Sequence, residues 1–207
     1  MEVAPFDLAQ ISESIIVGID EAGRGCLAGP VYAGAVIIQS RMHVDDLQDS
    51  KKISENRREE LYELILKFHR VGIGFANLEE IEEFNILHAS LLAMKRAVLN
   101  LNLTAEERKN THLLIDGNQT LKNIGLRQTA VVKGDARVKA ISAASIVAKV
   151  SRDRELRKLH DHYPEYGFVR HKGYGTKSHL DAIAEFGPCA HHRKDFAGVR
   201  EHWEKRR

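Results

Sequence analysis

Three short apolar runs in this 207-residue chain each lead to an acidic residue with glycine close by, and that pattern restricts the fold more than any other feature. The first is Ser14 to Asp20, continuing into Glu21-Ala22-Gly23-Arg24-Gly25. Leu113 to Asp116 comes next, followed by Gly117-Asn118. The third is Thr129 to Val132, followed by Lys133-Gly134-Asp135. Runs of this length and branching read as strands, and Val31 to Ile38 and Val71 to Ala76 add two more. Between them lie stripes at helical spacing: Leu61, Leu64, Ile65 and Phe68, then Ile81, Phe84, Leu87, Leu91, Met94 and Val98. Both stripes are expected to face a core. Helical character returns from Val138 to about His160 and from Lys177 to Phe186, where Gly187-Pro188 supplies a stop. The order strand, strand, helix, strand, helix, strand, strand, helix and a helical tail predicts a mixed α/β sheet covered by helices. No G-x-G-x-x-G follows a strand, which weighs against a dinucleotide-binding variant.

Acids at strand ends suit a hard divalent cation, which takes oxygen ligands from a few carboxylates together with water and phosphate. Asp20 and Glu21 are adjacent, so their side chains point to opposite faces of a strand unless the backbone bends; the glycines that follow would permit a bend. Asp116 occupies an equivalent position, and Asp135 follows the last strand. Each also has a plainer reading: a solvated turn for Asp20 and Glu21, a turn start for Asp116, and a cap on the helix after Val138 for Asp135. That helix carries Ser142, Ser145, Lys149 and Arg152 at spacings that share one face. Two hydroxyls followed by two cations suit a phosphate backbone lying along it, although a partly exposed helix edge has the same pattern. In His171-Lys172-Gly173-Tyr174-Gly175-Thr176-Lys177 an aromatic hydroxyl sits among glycines and cations, which suits stacking and hydrogen bonding to a sugar.

Charge is divided along the chain. Residues 1–136 carry 15 Lys and Arg against 20 Asp and Glu, whereas residues 137–207 carry 16 against 9, with seven of the eleven histidines. A basic C-terminal third is compatible with a polyanion partner and equally with a solvated face. The two cysteines, Cys26 and Cys189, form no C-x-x-C pair, which favours reduced thiols over a disulfide framework or a zinc site. The N-terminal MEVAPFDLAQ lacks the basic start of a signal peptide, and no run reaches the roughly 18 apolar residues of a membrane span. A soluble cytoplasmic protein with no membrane partner is expected.

Together, Asp20-Glu21-Ala22-Gly23-Arg24-Gly25, Asp49-Ser50-Lys51-Lys52, Leu114-Ile115-Asp116-Gly117-Asn118, Lys133-Gly134-Asp135, Ala143-Ala144-Ser145-Ile146-Val147-Ala148-Lys149 and His171-Lys172-Gly173-Tyr174 resemble, in that order, the motifs of the ribonuclease HII (type 2 ribonuclease H) family. The likeness includes Glu80 to Leu87 and runs from Ile15 to Val199. It implies an α/β ribonuclease H-like fold: a central five-stranded mixed sheet flanked by helices, with a helical C-terminal region. Sheet and core helices would occupy residues 15–150 and the basic helical region 151–207, in one catalytic domain spanning 1–207. Two positions depart from the family pattern. Cys26 stands where proline is usual, and Asp195 interrupts the usual His-Arg-x-Ser-Phe.

The resemblance further implies an endonuclease acting on RNA–DNA hybrids and on DNA duplexes containing ribonucleotides, with 5′-phosphate and 3′-hydroxyl products. Asp20, Glu21, Asp116 and Asp135 would hold two Mg²⁺ or Mn²⁺ ions. Gly23, Arg24, Gly25 and Tyr174 would read the ribose 2′-hydroxyl, and Lys51, Asn85, Ser145 and Lys149 would contact the substrate backbone. The expected state is a monomer, and the expected role is excision of ribonucleotides from DNA. Ribonuclease HIII shares the sheet and acids but adds an N-terminal substrate-binding domain, for which this chain has little room before its first strand. A non-catalytic nucleic-acid binder with a structural Ca²⁺ site is the reading from another class.

Overall fold

A computed structural model describes residues 4–41, 47 and 53–203. Its strands are β1 (Ile15–Ala22), β2 (Val31–Ile37), β3 (Arg70–Ala76), β4 (Thr111–Asp116) and β5 (Arg127–Val131). They form one five-stranded sheet in the order β3-β2-β1-β4-β5. β1 and β2 pair antiparallel, as do β2 and β3, while β4 runs parallel to both β1 and β5. The mixed sheet expected from the sequence is present, with β1 extending two residues beyond Asp20.

Seven α-helices complete the described chain: α1 (Glu55–Phe68), α2 (Leu78–Leu99), α3 (Ala105–Lys109), α4 (Lys139–His162), α5 (Phe168–His171), α6 (Lys177–Phe186) and α7 (Arg200–Trp203). Side chains at the N-caps define where several begin. Ser54 accepts the N–H of Arg57, and Asn77 and Glu80 form a reciprocal capping box at α2. None of these helices is long and apolar enough to cross a membrane.

The two large helices lie on opposite faces of the sheet, and residue size at the contacts sets how closely they approach. On one face α4 sits on Gly18 and Gly34: a Cβ at Gly18 would lie 2.0 Å from the Ala140 carbonyl carbon, and one at Gly34 2.5 Å from the Ala144 oxygen. On the other, α2 sits on Gly72 and Gly74, with Ala93 and Ala97 against them. Val17, Ile19, Ala33, Ala35, Leu113 and Ile115 fill the α2 side, while Val36, Leu61, Ile65, Ile146 and Val147 fill the layer between β2, α4 and α1. Alternation along the strands separates these sets.

The α2 stripe departs from the periodic reading. Ile81, Met94 and Val98 are buried, but Phe84 is exposed. Asn85 breaks the helix with φ 63° and ψ 165°, and its Oδ1 accepts the N–H groups of Leu87 and His88, so it caps a second helical segment. This backbone region strongly favours glycine. The break shifts the helical phase and turns Phe84 away from the core.

The segment after β1 is held by two buried guanidinium groups. Gly23 turns the chain with φ +101°, and a Cβ there would lie 2.1 Å from Arg152 Nε. Arg152 donates to the carbonyls of Ala28, Pro30 and Lys172 at 2.7–3.1 Å. Arg193 donates to those of Gly23, Arg24 and Gly29 at 2.7–3.0 Å. Each arginine is 1% exposed. Planar guanidinium, with five N–H groups in a fixed fork, can serve several carbonyls at once; a lysine ammonium lacks that shape. Arg193→Met should keep most of the volume while leaving three carbonyls without their donor. A loss of about 3 kcal/mol or more is expected, at roughly 1–3 kcal/mol per unsatisfied buried group, measured by urea denaturation. An unchanged urea midpoint would contradict this account of the loop.

Candidate active site

The parallel register of β1 and β4 places the first two acids. Ile19 lies opposite Ile115 at the end of the pairing, so Asp20 and Asp116 follow as neighbours one residue on. By strand alternation both point to the face of Gly18 and Leu114, where α4 packs. Asp20 is buried, accepts the Glu21 N–H at 2.7 Å and hydrogen-bonds the Ser145 hydroxyl on α4. Asp116 accepts the Gly134 N–H at 2.6 Å. That bond ties the end of β4 to the turn after β5, in which Asp135, also buried, is the next residue.

Asp135 does not cap α4. The N-cap is Val138, which makes no side-chain cap bond, and Asp135 lies within the preceding 3₁₀ turn, Gly134–Ala136. Nor does the chain bend between Asp20 and Glu21. β1 continues through Ala22 in register with β2, and the turn comes at Gly23. Glu21 therefore points to the α2 face. There it pairs with Arg24 at 3.3 Å and lines a small crevice with Asp116, Asn118, Leu87, Ser90 and Met94.

Burial raises the Asp20 carboxyl well above the usual range, and repulsion from Glu21 and Asp116 adds to it. Glu21 is raised chiefly by burial and further by Asp116, against the opposing pull of Arg24. Three mutually repelling carboxylates, with Asp20 and Glu21 drawn out of water, form a strong demand for positive charge. Among the described residues, no three His, Cys, Asp or Glu side chains meet as a preformed ion cage. Asp20 and Asp116 each commit an oxygen to a backbone N–H, and Glu21 approaches from the opposite face. Even so, the donor set consists of carboxylate oxygens, which suits a hard divalent ion that retains water and takes further oxygens from a phosphate.

Tyr174 stands beside the Gly23–Gly25 segment. It forms an isolated antiparallel bridge with Cys26, Leu27 N–H donates to the Gly173 carbonyl at 2.8 Å, and the Cys26 thiol hydrogen-bonds the Tyr174 hydroxyl. Tyr174 remains 45% exposed, whereas Cys26 is buried. The residue at the departure from the family pattern is thus a contact of the tyrosine. Gly23 is required by Arg152, but a Cβ at Gly25 would meet nothing within 4 Å. Packing therefore does not account for glycine at position 25.

The remaining expected contacts divide. Ser145 is buried next to Asp20, and Lys149, partly exposed, pairs with Asp153 at 2.5 Å. Asn85 is exposed, and its side chain serves as a helix cap with its amide 3.1 Å from His88 Nδ1. Lys51 lies outside the described residues. The phosphate-facing stripe on α4 does not hold as a unit. Ser142 is buried and donates to the Leu47 carbonyl at 2.6 Å, and Arg152 serves backbone carbonyls, because the closely seated helix turns that face inward. Sequence reasoning misses Arg193. A buried arginine whose partners are carbonyls distant in sequence leaves no local spacing pattern; the hints are its place in the basic third and in the His192-Arg193-Lys194-Asp195-Phe196 segment.

Comparison with known proteins follows the same lines. The family model described as Ribonuclease HII matches residues 17–206. A Ribonuclease HII from Cupriavidus necator is 52% identical over 202 residues, covering 95% of this chain and 82% of that protein. The crystal structure of the ribonuclease H2 from Pyrococcus horikoshii OT3 is 26% identical with a TM-score of 0.73, covering 92% of this chain and 98% of that one. Bst-RNase HIII, solved in complex with Mn²⁺, shares the fold at 17% identity and a TM-score of 0.74, covering 96% of this chain and 73% of that one. Matched by the family model over nearly its whole length and 52% identical to a relative of that description, the chain belongs to the ribonuclease HII family, metal-dependent ribonuclease H endonucleases that hydrolyse the RNA of RNA–DNA hybrids.

Proposed function

We propose that the chain cuts at ribonucleotides embedded in duplex DNA as well as within hybrids, using Asp20, Glu21, Asp116 and Asp135 to hold two divalent ions. The observation that carries this reading is the side-by-side placement of buried Asp20 and half-buried Asp116 on parallel neighbours, with Glu21 repelling both. Bound there, Mg²⁺ or Mn²⁺ would supply an activated water and neutralise charge on the departing 3′-oxygen. The chain's own groups do the rest. Backbone N–H donors at Glu21 and Gly134 orient the Asp20 and Asp116 carboxylates, and Ser145 steadies Asp20 from α4. No side-chain nucleophile is required.

Ribose recognition is assigned to Tyr174 and to Gly23-Arg24-Gly25. A half-exposed phenol beside a glycine with open space above it allows a sugar edge to approach the backbone closely, and the 2′-hydroxyl is the group that distinguishes RNA from DNA. Lys149, Asn85 and Lys51 are assigned to backbone contacts on the resemblance alone. Lys149 would have to share its ammonium between Asp153 and a phosphate. The role proposed is ribonucleotide excision by a cytoplasmic monomer whose one domain spans residues 1–207. The ribonuclease HIII alternative gains nothing specific from the shared fold, since the HII relatives are far more similar in sequence.

Asp116→Asn or Asp135→Asn should lower cleavage of a duplex with one ribonucleotide by about a thousandfold or more, as expected when a group stabilising transition-state charge is removed, while duplex binding persists. Full activity in either variant would refute the metal assignment. Tyr174→Phe keeps the ring and loses the hydroxyl, so cutting at a single ribonucleotide should drop by about tenfold or more, as for loss of one hydrogen bond to a charged or polar transition state. Equal rates for this variant and the parent would remove the phenol from the mechanism. Repulsion at Asp20 predicts that Asp20→Asn, in chelator, melts above the parent, by about 2–4 °C per kcal/mol relieved. Mg²⁺ should then raise the parental midpoint more than the variant's. A lower melting point for the variant in chelator would mean the protein itself already neutralises that charge.

A further inference from the structure

Behind Tyr174 lies a group of histidines with no part in the chemistry proposed above. His171, His179 and His192 are all buried. His179 Nδ1 lies 2.9 Å from the Tyr174 carbonyl oxygen, which can only accept, so this nitrogen carries a proton. At the far end the Cys189 backbone N–H donates to His192 Nδ1 at 3.0 Å, so that nitrogen is bare and the proton of a neutral ring sits on Nε2. The two Nε2 atoms are 3.0 Å apart. With His192 Nε2–H donating to the bare His179 Nε2, both requirements are met by one arrangement, and reversing either ring would set two donors or two acceptors against each other.

The surroundings keep this arrangement neutral. Burial pushes His179 down to about 4 and His192 to about 3, and the imidazole next to each adds to the effect. His171 stacks on His179 with centroids 4.2 Å apart, accepts the Gly173 N–H at Nδ1 and donates from Nε2 to the Tyr166 carbonyl. Two backbone groups on either side of the tyrosine Cα, the Gly173 N–H and the Tyr174 carbonyl, therefore end on fixed imidazoles. The front of the tyrosine is tied by the bridge to Cys26.

We propose that His179 and His192 are positioning residues for Tyr174, a one-directional pair of neutral imidazoles that fixes the Tyr174 carbonyl and thereby aims its hydroxyl at a single ribose. The proposal rests on the reading of Tyr174 given above. A continuous hybrid offers a ribose at every register, whereas a lone ribonucleotide offers one, so loss of aim should weigh most on the latter.

The test uses the full chain and two variants. With the Thr176 N–H still donating to the Tyr174 carbonyl at 2.8 Å, His179→Leu removes its side-chain donor. In His179→Asn the amide nitrogen takes the place of Nδ1 and restores it. The ratio of cleavage at a single ribonucleotide to cleavage of a continuous hybrid should fall by about tenfold or more in His179→Leu, as a small misplacement of a reacting partner does, and should largely recover in His179→Asn. Thermal midpoints measured alongside should not follow that recovery. Nitrogen NMR of the parent at neutral pH should show His179 protonated at Nδ1 and His192 at Nε2. The proposal fails if the ratio stays parental in His179→Leu, if His179→Asn does not restore it, if both substrates decline together with the melting point, or if His179 carries its proton on Nε2. Tyr174→Phe in the same assay separates the two ideas. A parental rate there sinks the tyrosine reading and this proposal with it, whereas an impaired Tyr174→Phe beside a parental ratio in His179→Leu sinks the positioning role alone.

Discussion

Repulsion among closely placed carboxylates, of which Asp20 is buried, is the constraint around which this molecule is arranged. Asp20 and Asp116 are neighbours because β1 and β4 run parallel in a register that ends at Ile19 and Ile115, and both point toward α4. Such a pair opposes folding unless donors or cations compensate it. Part of the compensation is local, through the N–H groups of Glu21 and Gly134 and the Ser145 hydroxyl. The remainder is the demand for positive charge that makes the crevice at these strand ends suited to divalent ions and to phosphate.

The compensation depends on close packing elsewhere. Ser145 reaches Asp20 because α4 lies almost in contact with the sheet backbone, which Gly18 and Gly34 allow. Larger residues at either glycine would lift the helix and withdraw the hydroxyl from the carboxylate. The same helix carries Arg152 to the loop after β1, so one rigid element orients an acid at one point and that glycine-rich loop at another. Asp20 and the glycine-rich loop thus share a single support.

Buried charge is used differently in the glycine-rich loop after β1. Arg152 and Arg193 satisfy their charge with carbonyl oxygens, which stiffens a glycine-rich segment that would otherwise be mobile on composition alone. Tyr174 is then bound to that segment through Cys26 and backed by neutral histidines. Loop, tyrosine and histidine pair form a continuous polar scaffold in which the exposed atoms are few and the orienting atoms many.

Much of this was legible in the chain itself. Strand positions follow from short apolar runs, α6 from helical spacing and its Gly187 stop, and the candidate acids from their places at the end of a strand or in the turn after one. The order of the motifs along the chain by itself implies the family. Other features depend on residues far apart in sequence. The parity of Asp20 and Glu21, the inward rotation of Ser142 and Arg152, the break at Asn85, and the partners of Arg193 and His179 follow no local period. Sequence by itself determined which residues are available and which elements they form, because backbone preference and side-chain periodicity act over a few residues. Only the tertiary structure decided which acids face each other, which cations are buried among carbonyls and which way each imidazole is turned, because burial, charge interaction and hydrogen-bond direction depend on what the fold brings alongside.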